Sequence, residues 1–148
     1  MSDPVTVEDL LAEARSGLDR LDPLAAAAAV EAGGVLVDIR SELQREHDGV
    51  VPAAVFFPRN VLEWRCDPAS PARDARVCDP AMQLILMCDE GYQSSLAAAN
   101  LKRLGFDRAT DLAGGFQAWR DAGLPVDPGA RGSPVGEPLK PPGKTASS

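Results

Sequence analysis

The stretch Leu84–Gly105, LILMCDEGYQSSLAAANLKRLG, decides how this chain is read. Leu84, Ile85, Leu86 and Met87 form an apolar run with no polar alternation, the mark of a strand covered on both faces. Cys88 stands at its exit. A polar loop containing Gly91 follows, and then a helical pattern in which Ala97, Leu101 and Leu104 share a face and Gly105 marks the stop. Ser94 or Ser95 is expected to cap that helix. In an open α/β sheet, ligands bind beyond the carboxyl ends of the strands, which is where this order puts the thiol. If the loop curls around the sulfur, its N–H groups and the helix start stabilise a thiolate or a bound anion. Gly91 supplies the freedom to curl, and Ser94 and Ser95 supply hydroxyl donors for a sulfur-bound substrate. The competing reading makes Cys88 a small buried hydrophobe with a turn after it.

Working outward, strands alternate with helices. Thr6 and Asp9 predict a helix start after a short strand-like segment at the N-terminus, with Leu10, Leu11, Ala14 and Leu18 at helical spacing. Pro23 opens a second helix that Gly33 and Gly34 close. Val35–Arg40 and Ala54–Pro58 read as short strands, with a polar connection and a possible helical turn between them. A helical turn is expected at 59–65, then an irregular loop to Pro80. A strand at Ala109–Leu112 precedes a last helix stopped by Gly123 and Pro125, with Phe116 and Trp119 in the core. The expected fold is α/β, with a mostly parallel sheet covered by helices on both faces. Residues 1–127 are expected to form the domain, and the Pro/Gly/Ser-rich segment 128–148 a disordered tail, because it has too little apolar surface to offset ordering.

Composition narrows the function. Fifteen basic residues against 22 acidic give a net charge of −7, which argues against nucleic acid or an anionic membrane surface as partner. The chain has no run of about 20 apolar residues, and its first residues carry acids rather than an apolar signal core. Three cysteines in such a chain suit reduced thiols and a cytoplasmic protein. Cys66 and Cys78 lack paired zinc spacing and there is one histidine, so no metal site is expected.

Four pieces in order resemble a single rhodanese-like (sulfurtransferase) domain over about Val5–Pro128. They are Val37-Asp38-Ile39-Arg40, Gly49–Ala54, the loop opened by Cys88 with Gly91 and Ser94, and Leu112–Trp119, LAGGFQAW. The resemblance implies a three-layer sandwich and a persulfide carried on Cys88. Sulfane sulfur would come from thiosulfate or a persulfide and pass to a thiol acceptor, with no cofactor. The implied binding loop is Asp89, Glu90, Gly91, Tyr92, Gln93 and Ser94. The six residues Cys88–Gln93 match the sulfurtransferase loop; related phosphatases use one residue more and a clamping arginine near its end, where this chain has Gln93.

Several residues around that loop set further expectations. Asp89 and Glu90 oppose an anionic donor, which favours a protein or small-thiol persulfide over thiosulfate. Asp38 is expected to accept from loop amides, and Arg40 to pair with Glu42 or Glu46. Asp38, Arg59 and Arg65 are candidates for the pocket rim; Trp64 is a rim or packing residue. His47 is a weak candidate base. Two alternatives stay open: a rhodanese-like binding or regulatory module with an idle thiol, and a redox sensor in which Cys66 or Cys78 resolves an oxidised Cys88. Oligomeric state stays open as well.

Overall fold

The apolar run forms β3 (Leu84–Met87), all four side chains buried. Alternate residues of a strand point to opposite faces, so Leu84 and Leu86 join one apolar cluster while Ile85 and Met87 join another. The neighbouring β1 (Val35–Asp38) divides in the same way, Val37 to the first cluster and Leu36 to the second. Both faces are therefore core, which accounts for the missing polar alternation. With β2 (Val55–Phe56) and β4 (Thr110–Asp111) these strands make a sheet of order β2-β1-β3-β4, parallel throughout. An isolated parallel bridge from Leu21 to Leu112 continues the β4 edge. The computed structural model describes residues 3–129.

Helices cover both faces. On one lie α4 (Leu62–Cys66) and α5 (Gln93–Arg103), with Leu62, Cys66, Ala97, Ala98 and Leu101 in the first cluster. On the other lie α2 (Pro23–Glu31) and α6 (Gly115–Asp121), contributing Ala26, Phe116 and Trp119. The result is the expected three-layer α/β sandwich. The remaining helices are α1 (Val7–Ser16), packed on α5, and α3 (Glu42–Asp48) between β1 and β2. A turn of 3-10 helix at Arg59–Val61 leads into α4.

Local signals set the boundaries. Thr6 caps α1 in a reciprocal pair with Asp9, Asp22 caps α2 ahead of Pro23, and Ser41 and Gln44 form a capping box for α3. Two expectations fail. Residues 3–6 are irregular rather than strand-like. Ser94 and Ser95 do not cap α5; both lie within it, buried, and the helix starts at Gln93 with no side-chain cap. The strands are also shorter than expected: β1 stops at Asp38, β2 spans Val55–Phe56 and β4 spans Thr110–Asp111. Beyond α6 the chain is fastened by an antiparallel bridge in which Val50 and Asp127 exchange two 2.8 Å backbone hydrogen bonds. The tail expected over 128–148 lies, from residue 130 on, outside the described residues. Among the described residues no helix is long and apolar enough to cross a membrane.

Candidate active site

β3 delivers Cys88 to the carboxyl edge of the sheet, where the residue is 8% exposed. The loop does curl around it. The Gly91 N–H lies 3.1 Å and the Ser94 N–H 3.4 Å from Cys88 Sγ, both donating. Gly91 takes φ +91°, and an added Cβ would come within 2.7 Å of the Gly114 nitrogen, so the turn needs glycine for both conformation and space. A cleft of about 270 Å³ opens beside the sulfur. Cys88, Tyr92 and Gln93 line one side, and Arg40, Ser41 and Gln44 the other.

The carbonyls of the loop are held outward. Phe116 N–H donates to the Cys88 carbonyl at 2.8 Å and Gln117 N–H to the Asp89 carbonyl at 3.1 Å, pinning the start of α6 to the strand exit. Gly115 permits this approach: at φ +61°, a Cβ there would sit 2.6 Å from both carbonyl oxygens. Arg15 Nη2 and Arg20 Nη2 each donate to the Gly91 carbonyl at 2.8 Å. In a planar trans peptide the N–H opposes the C=O, so each outward carbonyl turns the following N–H the other way.

The acids flanking the nucleophile both line the cleft but differ in freedom. Asp89 is half-buried, its carboxylate accepting from Gln117 Nε2 at 2.9 Å, while Glu90 is exposed. Tyr92 is 59% exposed. Gln93 extends its side-chain oxygen to Arg59 Nε at 3.0 Å. Arg59 also pairs with Glu63 at 2.8 Å, so its charge is partly met. Burial pushes the Glu63 carboxyl up, yet hydrogen bonds from Asn100, its own backbone and Arg59 outweigh this and hold it below the usual range. A larger groove of about 520 Å³ between α1 and α5 shares Gln93 with the cleft; Arg59, expected at the cleft's rim, lines this groove instead, because its side chain is drawn to Gln93 and Glu63.

Some candidates sit elsewhere than sequence reasoning put them. Ser94 and Ser95 turn their hydroxyls to Asp111 Oδ2, at 2.7 and 2.8 Å, rather than to the space beside the sulfur. Asp38 accepts nothing from the loop. It is buried under Arg40 and Arg45, which donate to its carboxylate at 2.9–3.1 Å. Arg40 therefore pairs with Asp38 and the Gly49 carbonyl, not with Glu42 or Glu46. Its Nη1 alone is buried without a partner among the described residues. Arg65 donates to the Ala72 carbonyl and does not line the cleft, because α4 turns it along the 67–74 loop. Trp64 is 60% exposed, so it is no packing anchor. His47 is exposed on α3 and also lies off the cleft. Cys66 is buried in the core, and burial pushes its thiol up to about 12, with Glu63, Cys78 and Asp74 adding to the effect.

Sequence reasoning missed Arg15, Arg20, Asp111 and Gln117. Asp111 was the one that could have been found: a buried carboxylate inside a short strand between Thr110 and Leu112 requires a cationic partner. That partner is Arg20, at 2.9 Å.

Comparison with known proteins agrees with this geometry. A thiosulfate sulfurtransferase, GlpE, of Pseudomonas syringae is 34% identical over 101 residues, covering 68% of this chain and 86% of its own. The mitochondrial protein HIGH ARSENIC CONTENT 1 of Arabidopsis thaliana is 30% identical over 129 residues, 84% of this chain and 70% of its own. Among solved structures, a protein of unknown function from Rhodopseudomonas palustris, described as a possible tyrosine phosphatase, superposes with a TM-score of 0.76 at 32% identity, covering 86% of this chain and 99% of that one. The profile of the rhodanese-like domain matches residues 22–122, from the cap of α2 to the end of α6, and the chain belongs to that family.

Proposed function

We propose that the protein is a sulfurtransferase that carries sulfane sulfur on Cys88. The observation that carries this reading is the pair of backbone donors, Gly91 N–H and Ser94 N–H, aimed at Cys88 Sγ from a six-residue loop. Neutral amides suit a monoanionic sulfur, and they act without a cofactor. With thiosulfate, the Cys88 thiolate attacks the outer sulfur, a new S–S bond forms, the old one breaks, and sulfite leaves with its electron pair. With a persulfide donor, a thiolate leaves instead. An acceptor thiolate then takes the outer sulfur and returns Cys88 as thiolate. Asp89 and Glu90 at the cleft favour the persulfide donor, since they repel a dianion more strongly than a monoanion. The free thiols suit a reducing compartment, and we place the activity in the cytoplasm.

A phosphatase reading is suggested by the Rhodopseudomonas relative but lacks the group it needs. Residues 89–94 hold two carboxylates and no arginine to clamp a phosphate. The redox-sensor reading with Cys66 as the resolving thiol finds little support, because burial pushes that thiol up to about 12 and makes it a poor attacker at neutral pH. The deciding experiment is intact-mass spectrometry after incubation with thiosulfate or a thiol persulfide. Gain of one sulfur atom by the wild type and none by Cys88→Ser is expected. No gain with either donor, together with Cys88-dependent hydrolysis of an aryl phosphate, would replace sulfur transfer by phosphatase chemistry.

A further inference from the structure

Behind the Cys88 loop lies a closed ring of hydrogen bonds. Arg15, in the last turn of α1, donates from Nη2 to the Gly91 carbonyl and from Nε to Ser95 Oγ at 3.0 Å. Ser95 Oγ donates to Asp111 Oδ2. Asp111 accepts from Arg20 Nε and Nη2, at 2.9 and 3.1 Å. Arg20 Nη2 returns to the Gly91 carbonyl and closes the ring. Ser94 donates to the same carboxylate. Arg15 also lies over the Tyr92 ring, 5.7 Å from its centroid.

We propose that Arg15 and Arg20 are positioning residues for the Cys88 loop: they draw the Gly91 carbonyl outward, so that the Gly91–Tyr92 peptide turns its N–H toward the sulfur side and the loop faces Cys88 with positive potential. Two guanidiniums on one carbonyl polarise that peptide and strengthen its N–H as a donor. The Tyr92 N–H has no protein acceptor among the described residues, so it is available to a sulfur carried on Cys88. The ring holds two positive charges and one negative, a net positive charge placed behind the loop. Facing the sulfur from the other side are Asp89 and Glu90, with Arg40 across the cleft and Arg59 joined through Gln93. Asp111 holds Arg20 in place and ties the first turn of α5, through Ser94 and Ser95, to the same anchor. This explains why those two hydroxyls turn away from the cleft.

The proposal deepens the sulfur-transfer reading and takes its catalytic meaning from it, but its first readout needs no sulfur. Iodoacetamide alkylation of Cys88, mapped by peptide mass, is compared at pH 7 and pH 10 for the wild type, Arg15→Gln, Arg20→Gln, the double variant and Arg15→Lys. Each single Gln variant is expected to slow alkylation about three- to tenfold at pH 7, and the double variant by more than about tenfold, with rates at pH 10 within about twofold of wild type. Arg15→Lys keeps the charge but not the forked reach to Gly91 and Ser95, so it recovers part of the rate at pH 7. Equal rates at pH 7 in a folded double variant would overturn the proposal. So would faster alkylation at both pH values, the sign of a loop that has merely opened. Should the double variant not fold, the contrast between Arg15→Gln and Arg15→Lys decides: equal rates in those two overturn it. A wild type that takes up no sulfur while the alkylation pattern holds would sink sulfur transfer and leave the positioning role standing; the reverse pattern would do the opposite.

Discussion

Replacing Asp111 by alanine tests whether the anchor behind the loop contributes net stability. The carboxylate has no exposed surface and accepts from Arg20 Nε, Arg20 Nη2, Ser94 Oγ and Ser95 Oγ. Removing one member of a buried charge pair costs about 3–5 kcal/mol, because the other is left without compensation. Arg20 keeps 22% of its side chain in solvent and its bond to the Gly91 carbonyl, which places its share at the low end. The two serine hydroxyls are fully buried, and Ser95 Oγ already lies 3.5 Å from the Gly91 carbonyl, toward which it can turn, which limits its loss. The sum is about 3 kcal/mol, and with a urea slope of about 1–3 kcal/mol/M the unfolding midpoint falls by about 1–3 M. Asp111→Asn keeps the shape and one acceptor oxygen, so about half that loss is expected. The assay is urea unfolding followed by tryptophan fluorescence, since Trp119 is buried in the adjoining core. A midpoint for Asp111→Ala within about 0.3 M of wild type would refute the reasoning, because desolvation would then cancel the whole network.

Other outcomes are equally open to measurement. Gly115→Ala drives a Cβ against the Cys88 and Asp89 carbonyls at a positive φ, so a loss of about 2–4 kcal/mol in urea unfolding, with reduced sulfur uptake, is expected. Cys66 contributes to pH dependence with a definite sign. The native chain keeps that proton up to about 12, whereas the unfolded chain releases it near the ordinary value of 9.0, so stability declines as pH rises between the two. Cys66→Val should flatten this alkaline decline, measured as the urea midpoint between pH 8 and pH 10.5. Glu90→Gln removes one exposed charge from the cleft and should raise kcat/KM for dianionic thiosulfate about two- to fivefold, and less for a monoanionic aryl persulfide donor.

Much of the fold was legible because its signals are local or periodic. The apolar run at 84–87 required two covered faces, and the caps at Thr6, Pro23 and Gly105 follow from chemistry within a few residues. The loop around Cys88 was legible for the same reason, since strand, thiol, glycine and helix are consecutive. The partners of the charged side chains were not. Arg40 takes Asp38 two residues away instead of Glu42 or Glu46, because the end of β1 and the residues just past it are buried together. Ser94 and Ser95 looked like caps or substrate donors until β4, 16 and 17 residues further on, brought Asp111 beneath them. Arg15 and Arg20 reach the loop across 76 and 71 residues of sequence, a distance that no local pattern spans. Arg65 was assigned to the rim because its segment follows β2, but the short α4 rotates it toward Ala72.

The stitch between Val50 and Asp127 has a mechanical consequence. It welds the outgoing chain to the segment just beyond α3, and Gly129 lies so tightly on the Arg45 backbone that a larger residue has no room there. Arg45 in turn grips Asp38, and the opening turn of α3, through Ser41 and Gln44, forms one wall of the thiol's cleft. A pull or load applied past residue 129 is thus borne first by that wall. The chain at residue 127 is thus moored within one short helix of the wall that faces the reactive sulfur.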